Sequence, residues 1–161
     1  QIAVTNGGGR RAALLAGDVT YGGVMTVLPF GNTIATMGLK GQDLLAALEH
    51  SARSYPSENG GFLQVSGMRY TFDPAQPAGS RIVSAEVWNG TAYEAIQADT
   101  VYKVVTNNFT RNGGDGYSWF RDNAIDPYDF GPALHEAVID YFWEFSPITP
   151  EIDGRINVVA P

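Results

Sequence analysis

The stretch Asn107-Asn108-Phe109-Thr110-Arg111-Asn112-Gly113-Gly114-Asp115-Gly116-Tyr117 sets an aromatic ring ahead of a glycine-rich turn that carries a carboxylate. A second phenylalanine, Phe62, stands beside another such loop, Asn59-Gly60-Gly61. Two rings can sandwich a planar base, a contact contributing roughly 1–3 kcal/mol per stacked base. An ionised carboxylate such as Asp115 has two acceptor oxygens and can take both hydroxyls of a ribose. Near the start, Asn6-Gly7-Gly8-Gly9 runs directly into Arg10 and Arg11. Glycine backbone, as at Gly8 and Gly9, can approach a ligand closely and present N–H groups to an anion, and arginine suits bidentate phosphate recognition. Each feature also has a plain structural reading. Phenylalanine in a strand is core, Asn112 to Gly116 is a tight turn, and a lone Arg-Arg is solvated. Their occurrence together and in order is what points to binding.

No catalytic machine accompanies these parts. The two histidines, His50 and His135, both fall on helical patterns and read as surface or cap residues. His135-Glu136-Ala137-Val138-Ile139 lacks the second histidine of a zinc-protease helix, and no lysine follows the glycine run as in a phosphate-cradling loop. The carboxylates show no paired metal-ligand spacing. Cysteine is absent, which excludes disulfides and thiolate metal sites.

The 161 residues fit one domain, and 44% apolar content is globular composition. A net charge of −7 makes the chain a poor partner for a nucleic-acid polymer, although one or two local arginines suffice for a small anion. No apolar run reaches bilayer-spanning length. The chain opens directly on Gln-Ile-Ala-Val, so any secretion signal is expected upstream.

The elements that must position these residues follow from periodicity. Ile2–Thr5 is a short apolar run ending at the glycines. Thr20 is placed to cap a helix running to about Leu28, before Pro29. Thr33–Leu39 reads as extended, and Gln42–Ser54 as a helix with Leu44, Leu45 and Leu48 on its apolar face. Phe62–Phe72, Arg81–Trp88 and Val101–Asn107 read as strands, with an Asn-Gly hairpin turn between Trp88 and Tyr93. Pro132 suits the first position of a helix over Ala133–Phe145, with Leu134, Val138, Tyr141, Phe142 and Phe145 facing inward. Arg155–Val159 is a candidate closing strand. Strands and helices mix without regular alternation, so an α+β fold with a mixed sheet and flanking helices is expected.

Five segments carry a resemblance over nearly the whole chain, from Asn6 to Ile156. They are NGGGRR, VLPFGNTIATMGLKGQDLLAALEHS, GGFLQVSGMRYTFD, VYKVVTNNFTRNGGDGY and DGRI. Together they resemble the C-terminal domain of the 5′-nucleotidase and UDP-sugar hydrolase family. The resemblance implies the nucleoside-binding part of a two-domain, periplasmic or extracellular hydrolase. Its N-terminal metallophosphoesterase domain would hold two divalent metals, such as zinc or manganese, outside this chain. By the same resemblance Phe62 and Phe109 clamp the base, Asp115 binds the ribose hydroxyls and Asn6 contacts the nucleoside; Gly8, Gly9 and Asn112 are further substrate-binding candidates. Arg11 matches the arginine that reaches the phosphate side. The position before it is usually apolar in the family and is Arg10 here, which leaves open which arginine enters the site. The family domain also begins further upstream, with a helix supplying another arginine, so residues 1–161 resemble an N-terminally truncated piece of a longer enzyme, inactive alone.

Three other readings share some of these features. A 2′,3′-cyclic-nucleotide phosphodiesterase/3′-nucleotidase would more often carry tyrosines at the clamp and lack the acid in the turn. A non-catalytic scaffold has no need of two phenylalanines beside an acid. The same holds for a sulfur-oxidation thiohydrolase of the superfamily.

Overall fold

The computed structural model describes residues 2–159. Nine strands form two mixed sheets. The first is built from β1 (Ile2–Asn6), β2 (Ile34–Lys40), β3 (Leu63–Ser66), β7 (Val101–Asn107) and β8 (Ile125–Tyr128), in the order β3-β1-β7-β2-β8. The second holds β4 (Met68–Phe72), β5 (Ile82–Trp88), β6 (Tyr93–Ala95) and β9 (Ile156–Val158), in the order β6-β5-β4-β9. Only the β1–β7 and β4–β9 pairs are parallel among the pairings between these strands. The α+β class with mixed sheets therefore stands, with two sheets in place of one.

The division falls inside the single strand expected over residues 62–72. Leu63 and Val65 are buried, then Met68, Tyr70 and Phe72, so the alternation slips by one residue at Gly67. Gly67 has φ of +71°, a backbone that few side chains adopt. β3 leaves for the first sheet and β4 for the second.

Helix α2 (Gly41–Ala52) packs into the core that the two sheets share. Leu44, Ala47 and Leu48 are fully buried among Val4, Leu39, Leu63, Tyr70 and Phe72, while Leu45 is half-buried. Three successive residues tie its last turn down. The Glu49 carboxylate accepts the Arg81 and Ile82 amides, both at 2.8 Å, at the start of β5. The Ser51 hydroxyl accepts the Leu63 amide of β3 at 2.8 Å. Between them His50 turns to the loop that carries Asp115.

Helix α1 (Tyr21–Val27) begins where its cap was expected, with the Thr20 hydroxyl accepting the Gly23 amide. The β5–β6 hairpin turns at Asn89-Gly90, with the Asn89 side chain accepting the Thr91 and Ala92 amides. Two short helices, α3 (Asn108–Arg111) and α4 (Ser118–Asp122), and the edge strand β8 had no clear periodic signal.

The last helix, α5 (Leu134–Phe145), corrects the expected inward face. Leu134, Val138 and Phe142 are half-buried, but Tyr141 and Phe145 are 54% and 57% exposed and pack on each other, ring centroids 4.7 Å apart. The helix also starts beyond Pro132, because residues 131–133 pair with the start of β2. The Pro132 carbonyl accepts the Ile34 amide, and Thr33 bridges to Ala133. No described helix is long and apolar enough to cross a membrane.

Candidate functional site

β1 and β7 lie side by side and run parallel, so their C-terminal ends open at the same edge of the sheet. Loops leaving the carboxyl ends of parallel strands are where open sheets gather ligands. Asn6 ends β1 and Asn107 ends β7. Both are buried, at 3% and 2% exposure, so their amides must find partners. Asn107 caps α3 by accepting the Thr110 amide at 2.8 Å, and donates from Nδ2 to Asn6 Oδ1 at 3.0 Å. The Thr110 hydroxyl stands 3.0 Å from Asn107 Oδ1 and 3.3 Å from Asn6 Oδ1 and shares one proton between them. With its oxygen occupied, the Asn6 amide turns its NH2 outward and donates to Asp115 Oδ2 at 2.7 Å. This contact joins residues 109 apart in sequence. The second oxygen of Asp115, Oδ1, accepts no hydrogen bond among the described residues.

The phenylalanines sit on the two loops that meet at this pair. Phe109 lies on α3, 45% exposed, with its ring flat against the Gly114 backbone. A Cβ on Gly114 would stand 2.6 Å from Cδ1 and Cζ of that ring, so only glycine lets the ring lie there. Phe62 is half-buried and meets Phe72 of the core edge-on, centroids 6.2 Å apart. Its neighbour Gly61 abuts Asp115, where a Cβ would come within 3.3 Å of the aspartate Cβ. The Tyr117 hydroxyl donates to the Gly61 carbonyl and holds the two loops together. Tyr117 is fully buried, and burial pushes its hydroxyl well above the ordinary tyrosine range, so it remains a donor.

Two of the glycines after Asn6 use their amides within the fold. Gly7 N–H donates to the Phe62 carbonyl at 2.9 Å and Gly8 N–H to the Gly60 carbonyl at 2.7 Å. Those donors are committed to the neighbouring loop and are not free for an anion. A Cβ on Gly8 would lie 3.1 Å from Gly60 Cα, and one on Gly9 would lie 3.2 Å from Asn6 Oδ1. These glycines let two backbones close on each other and so set Phe62 beside Asn6.

Arg10 and Arg11 are both exposed. Arg11 folds back toward the glycine turn, its Nη1 3.4 Å from the Gly8 carbonyl and its guanidinium 5.8 Å from the Phe30 ring centre. Arg10 follows the turn only through its backbone, which donates to the Gly7 carbonyl. Asn112 stands apart from the Asn6–Asp115 pair. Its amide donates to the Asn108 carbonyl at 2.8 Å, and its oxygen accepts from Arg111 at 2.6 Å. It belongs to a latch in which the nearly buried Arg111 guanidinium grips both carboxylate oxygens of Asp129, tying α3 to the segment after β8. The structure thus gathers Asn6, Phe62, Phe109 and Asp115, keeps Arg11 near, and commits Asn112 elsewhere.

Three residues of this cluster escaped the sequence reading. Asn107 and Thr110 left one signal, the cap spacing of an asparagine three residues before a threonine. His50 left none, since its partner lies 65 residues away. It is neither a cap nor a surface residue: it is half-buried, with Nε2 2.8 Å from the Asp115 carbonyl oxygen. His135 is half-buried and meets Tyr21 edge-on.

No group of three His, Asp or Glu side chains converges as a metal site among the described residues. A cavity of about 330 Å³ opens on the face of the first sheet opposite the core, lined by Ala3, Ile34, Val105 and Leu134 and reaching Asn107. It brings together no acid and no aromatic ring, so the chemistry points to the Asn6–Asp115 cluster.

Comparison with known proteins places these elements in one family domain. The family described as "5′-nucleotidase, C-terminal domain" matches residues 1–122. The trifunctional nucleotide phosphoesterase YfkN of Bacillus subtilis is 37% identical over 161 residues, covering 99% of this chain and 11% of that protein. The 5′-nucleotidase of Homo sapiens is 35% identical, covering 97% of this chain and 28% of its own length. The crystal structure of a 5′-nucleotidase precursor from Thermus thermophilus superposes with a TM-score of 0.95 at 43% identity, over 100% of this chain and 32% of that one. The chain thus spans a third or less of the proteins it matches. It belongs to the 5′-nucleotidase C-terminal domain family.

Proposed function

We propose that this chain is the nucleoside-binding domain of a metal-dependent hydrolase acting on nucleoside 5′-phosphates or UDP-sugars. One observation carries the reading. The Asn6 amide holds one oxygen of Asp115 at 2.7 Å and leaves the other without a partner among the described residues, between the loops that bear Phe62 and Phe109. A free carboxylate oxygen beside aromatic surface suits a ribose joined to a flat base.

Within that reading each residue has a task. Phe62 and Phe109 stack on the base. Asp115 accepts from the ribose hydroxyls, and Asn6 both orients Asp115 and offers its amide to the nucleoside. Arg11, folded toward the glycine turn, would meet the phosphate through its guanidinium. The chain binds and orients; the bond-breaking chemistry belongs to an N-terminal metallophosphoesterase domain of the same parent protein. Two divalent metals there, such as zinc or manganese, would supply an activated hydroxide. A periplasmic or extracellular location belongs to the same proposal. The phenylalanines and Asp115 favour this over a cyclic-nucleotide phosphodiesterase.

The test is ribose selectivity of the 161-residue chain. Adenosine and 2′-deoxyadenosine are titrated into wild type and Asp115→Ala, following amide shifts by NMR. Wild type is expected to prefer adenosine by about tenfold, the worth of one charge-assisted hydrogen bond. Asp115→Ala is expected to bind both weakly and equally. Equal affinity of wild type for the two nucleosides, or no response in residues 59–62 and 109–116, contradicts the reading.

A further inference from the structure

Asp115 is one of two described non-glycine residues with positive φ, at φ 54° and ψ 18°. An L-residue in the left-handed region costs roughly 1–2 kcal/mol, so its surroundings must hold it there. On the front, Asn6 grips the carboxylate. Behind it stands His50, in the last turn of α2. The Asp115 carbonyl can only accept, so the imidazole Nε2 at 2.8 Å must carry the proton and donate.

The surroundings fix that imidazole. Its ring meets Tyr117 edge-on at 4.9 Å and Trp119 at 5.6 Å. Its own carbonyl accepts from Arg53, and its helix is bolted to both sheets by Glu49 and Ser51. The loop in turn is shaped to reach it. Gly116 has φ of +87°, and a Cβ there would sit 2.9 Å from His50 Cε1 and Nε2. A rigid donor thus meets the backbone of the one acidic residue in the cluster, at a point where glycine alone permits the approach.

We propose that His50 is a positioning residue for nucleoside recognition: its Nε2–H holds the Asp115 backbone in the left-handed conformation and thereby aims the carboxylate at the ribose. The inference rests on the nucleoside-binding reading of the same cluster. His50 touches no ligand; it acts through Asp115.

The test is a double-mutant cycle on the 161-residue chain, with dissociation constants for adenosine and 2′-deoxyadenosine. His50→Phe keeps a flat ring against Tyr117 and Trp119 and removes the donor. It is expected to bring the preference for adenosine from about tenfold to about twofold or less. The double variant His50→Phe/Asp115→Ala is expected to bind adenosine no more weakly than Asp115→Ala alone, because a residue acting through Asp115 has nothing left to position. A purely structural histidine would lower the melting temperature, leave the ribose preference intact and weaken Asp115→Ala further; either binding result overturns the proposal. If wild type shows no ribose preference, the nucleoside reading fails and this inference falls with it. If wild type and Asp115→Ala differ as expected but His50→Phe matches wild type, only the role of His50 is refuted. Circular dichroism checks folding. Should His50→Phe not fold, His50→Leu, which removes the donor and leaves the loop's own backbone unchanged, enters the same cycle with the same expected outcomes.

Discussion

Gly114→Ala separates the placement of Phe109 from the stability of the fold. Gly114 does not have positive φ, so alanine fits its backbone. The obstacle is the Phe109 ring, whose Cδ1 and Cζ would lie 2.6 Å from the new methyl. Ordinary contact begins near 3.4 Å, so the ring must retreat by about 1 Å or swing away. Phe109 is 45% exposed and has open solvent to move into. The stability cost is therefore expected to be at most about 1 kcal/mol, offset in part by the lower chain entropy of alanine in the unfolded state. Affinity is expected to suffer far more. Losing one stacking face is worth about 1–3 kcal/mol, or roughly a five- to 150-fold rise in the dissociation constant for adenosine. The assay pairs thermal melts with NMR titration of wild type, Gly114→Ala, Phe109→Ala and the double variant. The double variant is expected to match Phe109→Ala. Wild-type affinity in Gly114→Ala, or a double variant clearly weaker than Phe109→Ala, refutes the claim that Gly114 acts by setting the ring.

Two further outcomes follow from the charge and burial of the chain. The purified 161-residue chain is expected not to hydrolyse AMP with added zinc or manganese, since no group of three His, Asp or Glu ligands converges among the described residues; metal-dependent phosphate release by a contaminant-free preparation would contradict this. Tyr70 is fully buried, and burial raises its hydroxyl to about 12 from the ordinary value of 10.0. Its unfolded form ionises first, so stability present below pH 10 is lost as pH climbs toward 12, by about 3 kcal/mol from this group. Its hydroxyl has no partner among the described residues, so Tyr70→Phe is expected to leave neutral-pH stability nearly unchanged and to flatten that alkaline fall in urea denaturation. An unchanged alkaline slope in the variant would count against the assignment.

Elements with local signals were legible in the sequence. Thr20 caps α1, Leu44 and Leu48 of α2 are buried, and Asn89-Gly90 turns the β5–β6 hairpin. The pieces of the cluster could be read too, because glycine, aromatic and acid types are distinctive side by side. Their joining could not. The Asn6–Asp115 contact spans 109 residues and the His50–Asp115 contact 65, and nothing local encodes either. The split at Gly67 was visible in principle as the phase slip from Leu63 and Val65 to Met68, Tyr70 and Phe72. The inward face read for α5 failed for another reason. With Val138, Ile139, Tyr141, Phe142, Trp143 and Phe145 the helix is apolar on several sides, so composition does not say which side is covered. Gly7 and Gly8 misled about use: their amides bond a neighbouring loop, a tertiary pairing that composition does not reveal.

The proposed site puts a nucleoside base between Phe62 and Phe109 with its ribose at Asp115. Intermolecular nuclear Overhauser effects on the chain saturated with adenosine test it most directly. Cross-peaks are expected from adenine H2 or H8 to ring protons of both Phe62 and Phe109, and from ribose protons to the Asp115–Gly116 backbone. Contacts to neither ring, or contacts confined to Ala3, Val105 and Leu134 in the cavity on the opposite sheet face, would contradict it.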